Sequence, residues 1–180
     1  MYNVMDALST LVENGLTEDA AQAAVVDLLE NDELGDDDDK RCCVAYDWYR
    51  DQGNKCDPSD VEMQTDGTVC IDGAEYRVMT DDEADQAAAD HIRESVWSFN
   101  ASFLSGETGI DETVFSALSD KCEGAQDAVR SIIDGSCGMD SFIESAVGCD
   151  GRGHFLGHYD NEENEHSVGS DETYYLYRTN

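Results

Sequence analysis

The chain has 180 residues and carries 42 aspartates and glutamates against 10 lysines and arginines, a formal net charge of −32. A small domain ordinarily carries a net charge of about 2 to 8 in magnitude, so the surplus opposes compaction and needs a cause outside the fold, either an unusual solvent or a partner that reads negative charge. The same imbalance argues against direct binding of nucleic acid, itself a polyanion, and the 40% hydrophobic content excludes global disorder.

The first residues, Met1 to Asp6, have neither a basic region nor an apolar stretch, so no signal peptide is expected. No apolar run approaches the ~20 residues of a membrane span, which leads to an expectation of a soluble cytoplasmic protein without a membrane partner. Residues 1–31 read as a helical hairpin. Val4, Leu8, Leu11 and Val12 share one helical face, Gly15 marks the break, and Thr17 offers an N-cap for a second helix with Ala21, Val25, Leu28 and Leu29 at helical spacing.

Residues 32–41 hold the run Asp36, Asp37, Asp38 and Asp39, followed by Lys40, which also spells an enterokinase recognition sequence. Aspartate is a poor residue for helix interiors, so this stretch is expected to be an exposed acidic linker. Residues 42–180 then form the expected core domain. Cys42 to Arg50 suits a short helix. Residues 61–64 and 68–71 read as strands joined across Asp66-Gly67, and Asp72-Gly73 turns the chain into a third strand over 74–79.

Thr80 and Glu83 make a capping box, with Asp81, Asp82 and Asp85 loading the first turn of a helix to about Phe99. Shorter helices are expected near 111–119, 125–134 and 139–147, and Tyr174 to Arg178 as a strand that joins the sheet. The predicted class is α+β, with helices packed on one face of a small antiparallel sheet.

The chemistry-bearing residues form no strong motif. Seven cysteines (42, 43, 56, 70, 122, 137, 149) contain no C-x-x-C pair and read as reduced thiols. Cys149, His154, His158 and His166 could be assembled into a zinc site on paper, but their spacing fits no zinc pattern. Residues 160–165 lack the spacing of a calcium loop and read as solvated. Gly151-Arg152-Gly153 has no strand–loop–helix context for a phosphate, so Arg152 is expected to pair with a nearby carboxylate. A thiol nucleophile at Cys137 or Cys149 beside His154 needs a proximity that sequence does not show. No cofactor, metal or catalytic residue is therefore expected.

Four stretches do carry a resemblance: Tyr76 to Asp85 (YRVMTDDEAD), Ser95 to Leu104 (SVWSFNASFL), Asp150 to Leu156 with Tyr159 to Glu163, and the terminal Tyr177-Arg178-Thr179-Asn180. Together they resemble a family of small proteins carried by phages, prophages and plasmids, across roughly residues 74–180. The resemblance implies a mobile-element accessory protein and transfers no catalytic residue.

Charge density bears on what such a protein could do. Duplex DNA carries one charge per ~1.7 Å of axis, about one per 110 Å² of its surface. Spread evenly over the ~8,600 Å² expected of a domain of this mass, the net charge here would be about one per 270 Å². Mimicry of nucleic acid therefore requires the charge to be concentrated on one face. The candidate partner-binding residues are Asp36, Asp37, Asp38, Asp39, Asp81, Asp82, Asp85, Asp160, Glu162 and Glu163, in three patches.

The function expected from these features is that of a non-catalytic acidic decoy which occupies a basic nucleic-acid-binding protein of a host defence or DNA-processing system. A halophilic domain adapted to molar salt and a small metal- or thiol-dependent enzyme are the alternatives. Whether the chain pairs as a homodimer stays open.

Overall fold

The computed structural model describes residues 3–31, 34, 37–169 and 172–180. Among them the chain is α+β, with eight α-helices and one five-stranded antiparallel sheet. It divides into two compact units, one formed by Met1–Ala84 with Gly157–Asn180 and the other by Asp85–Leu156.

In the first unit the N-terminal hairpin consists of α1 (Val4–Glu13) and α2 (Glu18–Glu30), capped by Asn3 and Thr17, whose side chains accept from the amides of Met5 and Ala20. Met5, Leu8, Val25 and Leu29 are buried in one cluster with Val44, Trp48, Ile71, Val78 and Leu176. The hairpin expected over 1–31 thus docks on the core, which covers its apolar face.

The next helix, α3, spans Asp37–Asp51. Asp37, Asp38 and Asp39 form its first turn, which corrects the linker expected over 32–41 from Asp37 onward, residues 32, 33 and 35 lying outside the described residues. The reason is positional. Aspartate disfavours helix interiors but is stabilised at the N-terminus, where unsatisfied amides and the helix dipole present positive charge. Of the remaining linker residues, Asp36 lies outside the described residues.

Strands β1 (Val61–Met63), β2 (Val69–Ile71) and β3 (Ala74–Thr80) make the expected meander, and β5 (Glu172–Arg178) pairs with β3 from Tyr76↔Arg178 to Thr80↔Tyr174. The β2–β3 turn places Asp72 at φ 49° and Gly73 at φ 79°, the left-handed pair that lets a two-residue hairpin follow the strand twist. A further strand, β4 (Asn164–Val168), pairs with β5 and completes the order β1-β2-β3-β5-β4. Residues 160–163 are the exposed loop expected there, and only Asn164 and Glu165 of the stretch 160–165 belong to the strand. Beyond Glu163 the residues alternate, with His166 and Val168 turned inward and Glu165 and Ser167 outward.

Helix α4 (Asp81–Ser95) starts at the capping box. The Thr80 amide donates to Glu83 Oε2 at 2.9 Å, and the Glu83 amide to Thr80 Oγ1 at 3.4 Å. The second unit holds the rest of α4, a short 3-10 turn at Val96–Ser98, α5 (Ala101–Thr108), α6 (Glu112–Ser119), α7 (Gln126–Gly135) and α8 (Met139–Leu156). Its core contains Ile92, Leu104, Phe115, Ile133 and Phe142, with Phe99 stacked on Phe103 and edge-on to Phe142. Helix α8 runs beyond the expected 147 and breaks at Gly151, where φ 76° and ψ 160° interrupt the helical path before residues 152–156 resume it. Only glycine adopts that backbone without steric cost.

The expected division into 1–31, 32–41 and 42–180 is therefore replaced. The chain leaves the first unit after Ala84 and returns to it at Gly157.

Candidate functional site

Two adjacent residues on α3 organise the acidic groups of the first unit. Lys40 reaches the β5 residue Glu172 at 2.7 Å. The Arg41 guanidinium bonds Asp37 one turn earlier at 2.9 Å and Glu83, in the first turn of α4, at 2.7 Å. Arg41 also donates to the Val78 carbonyl on β3. Both cations are largely withdrawn from solvent, with side chains 13% and 14% exposed, whereas Asp37 is 70% exposed. The cations thus act as internal ties, and what solvent meets is carboxylate.

The outcome is one locus where α3, α4 and β5 contribute Asp37, Glu83 and Glu172 to the Lys40 and Arg41 pairs, with Asp81 and Asp82 beside Glu172 on the adjoining groove. Hydrogen bonding from Arg41 holds the Glu83 carboxyl below its ordinary range, against the opposing effect of burial. Beside it, Thr80, Asp81, Asp82, Glu172, Thr173, Tyr174 and Tyr175 line a groove of about 430 Å³. Carboxylates on its rim and a half-buried tyrosine ring at Tyr175 suit the groove to a lysine or arginine side chain, since aromatic faces attract cations as carboxylates do.

The expected patches fare differently. Asp37 is tied through Arg41 to Glu83 in the turn that carries Asp81 and Asp82, while Asp38 and Asp39 lie near Cys42. Asp85 instead belongs to the second unit and pairs with Arg152 at 2.9 Å, the partnership expected for that arginine. Asp160, Glu162 and Glu163 stand at the far end of β5. Asp160 caps the Glu162 amide, Glu163 accepts from Tyr177 Oη at 2.6 Å, and the Tyr159 amide donates to the Arg178 carbonyl at 3.2 Å. Glu172 and Arg178 are the two ends of that strand, about 20 Å apart at ~3.4 Å per residue. The third patch is therefore not part of the locus.

Among the described residues, the zinc set considered from sequence is not a group placed to hold an ion. His166 is buried and bonds Asp47 at 3.0 Å, while Cys149 is exposed and lies in the second unit. All seven cysteines are free thiols. Burial pushes Cys42, Cys43 and Cys56 up to about 12, so these three are protonated and unreactive near neutral pH. His154 joins His91, Ser95, Ser98, Phe99, Asn100, Asp150 and Phe155 around a hollow of about 320 Å³ within the second unit.

Sequence reasoning missed Glu172, and with it the part played by Lys40 and Arg41. It also missed Asp47, Asp51 and Gln22, which surround His166. A signal for Asp47 did exist: a lone charge between Tyr46 and Trp48 in an otherwise apolar stretch. No helix among the described residues is long and apolar enough to cross a membrane. No protein-family model, curated protein or solved structure matches this chain.

Proposed function

We propose that the chain is a non-catalytic acidic inhibitor of mobile-element origin, which presents the charge of nucleic acid to a basic nucleic-acid-binding protein in the host cytoplasm. One observation carries this reading: Lys40 and Arg41 draw the acidic first turns of α3 and α4 and the start of β5 into a single locus. Evenly spread charge is too dilute to stand in for a duplex, so the reading draws its support from carboxylates gathered at such a locus. The groove at Asp81, Asp82 and Glu172 adds a place for one basic side chain of the partner. The partner is bound by ion pairing, so affinity falls steeply as salt rises.

The test compares charge reversal at two places. Asp81→Lys with Asp82→Lys alters the locus, and Asp160→Lys with Glu162→Lys alters the far end of β5 by the same amount of charge. The first pair should abolish retention of the basic partner, the second should weaken it only modestly. Equal loss from both pairs would mean that total charge alone matters. Thermal melts across a salt series address the solvent explanation. An inhibitor stays folded at about 0.15 M salt, whereas a halophilic domain needs molar salt to fold.

A further inference from the structure

Midway along α3 the sequence places a carboxylate among apolar neighbours. Asp47 is 8% exposed and sits between Tyr46 and Trp48, both buried. A carboxylate in that setting is costly unless it is partnered. Its partners come from two other elements: His166 Nε2 on β4 at 3.0 Å and Gln22 Nε2 on α2 at 3.1 Å. The same Gln22 amide donates to Asp51 Oδ1 at 3.1 Å, one helical turn beyond Asp47. Neither Asp47 nor Asp51 pairs with a lysine or arginine among the described residues, although other acids of the first unit do. One donor atom each from Asp47, Asp51 and His166 lies within 4.8 Å of the other two.

We propose that Asp47, Asp51 and His166 form a binding site for one divalent first-row transition ion, of which Zn²⁺ and Mn²⁺ suit the mixed carboxylate–imidazole donor set. The distances favour it. With metal–ligand bonds of about 2.0–2.2 Å, neighbouring donors of a tetrahedral ion stand roughly 3.4 Å apart. Asp47 and His166 already stand at 3.0 Å. With every donor pair within 4.8 Å, rotation of the exposed Asp51 side chain closes a remaining gap of at most about 1.4 Å.

Rotation of the Gln22 amide turns its carbonyl oxygen toward the ion as a fourth donor, in the place where its N–H₂ now bridges the two carboxylates. Asp47 and Asp51 bring carboxylate oxygens beside the imidazole, a donor set whose charge a divalent ion offsets. This differs from the acids of the surface locus, because two of the three donors here are buried and fixed by α3 and β4. Asp51 faces solvent and provides the way in.

The experiment uses the full chain, stripped with a chelator and titrated with Zn²⁺ by calorimetry in high salt, which screens loose attraction to the acidic surface. One saturable equivalent is expected. Asp51→Asn should weaken it at least about tenfold, and Asp81→Asn with Asp82→Asn should leave it unchanged. Because Asp51 is exposed, its variant keeps the fold. A second readout needs no variant at all: addition of Co²⁺ should shift and broaden the His166 ring resonances in proton NMR. An unsaturable titration, wild-type affinity in Asp51→Asn, or an unmoved His166 signal would each overturn the site. None of these outcomes depends on whether the surface locus binds a protein partner.

Discussion

Helix α3 carries carboxylates in two settings, and the contrast shows how a chain of this charge can fold. At its first turn, Asp37 and Asp38 face water, and Arg41 one turn later takes up Asp37. Ten residues on, Asp47 is enclosed by the core and relies on His166 and Gln22. The exposed set stays close to solvent and to the positive end of a helix dipole, so its cost is mutual repulsion, which salt screens. The buried carboxylate has lost its hydration and depends on fixed donors. Charge at the N-terminal turn therefore stays exposed to solvent, whereas charge at Asp47 is committed to the interior.

The contrast can be broken most severely at the buried end. Asp47→Ala leaves His166 and the Gln22 amide without their acceptor and should cost about 3–5 kcal/mol, measured by urea unfolding. Asp47→Asn, which keeps an acceptor, should recover much of this. At the exposed end, Arg41→Ala removes the tie between the first turns of α3 and α4 and should cost about 2 kcal/mol, since the guanidinium is mostly buried and bonds two carboxylates and a carbonyl. Thr80→Ala removes the hydroxyl half of the α4 capping box and should cost about 1 kcal/mol by the same assay.

A finer effect concerns pH. Arg41 holds the Glu83 carboxyl below its ordinary value in the folded chain. Its contribution to stability is therefore present above the unfolded pKa of about 4.3 and is lost as pH falls through the lower folded value. Unfolding of wild type and Glu83→Gln, compared from pH 6 to pH 3, should show the stability gap narrowing across that window. A gap that is constant or widens toward acid would contradict the pairing.

Local chemistry explains which elements were legible in the sequence. The Asp66-Gly67 and Asp72-Gly73 turns and the Thr80–Glu83 box depend on neighbours a few residues away, so the meander and the start of α4 could be read directly. The first turn of α3 could not, because its aspartates were weighed by their poor interior propensity when their position at a helix end decides the matter. Strand β4 is polar on its outer face and short on apolar residues, so its alternation at His166 and Val168 went unread. The candidate locus was half legible. Its acidic runs stand out in the sequence, but Lys40–Glu172 spans 132 positions and Arg41–Glu83 spans 42, and such pairings exist only once the fold has brought the start of α3 beside β5 and the first turn of α4. The Asp47–His166 pair, 119 residues apart, was hidden for the same reason.

The central claim is that the locus at Lys40 and Arg41 binds a basic nucleic-acid-binding protein in place of its polyanion. The most direct measurement is competition. The immobilised chain is offered host lysate, the retained basic protein is identified and purified, and its binding to labelled duplex DNA is followed as the chain is added. The expected result is displacement of the DNA at one chain per binding site, lost with Asp81→Lys and Asp82→Lys and undiminished with Asp160→Lys and Glu162→Lys. Retention of no basic protein, or direct binding of duplex DNA by the chain itself, would contradict the claim.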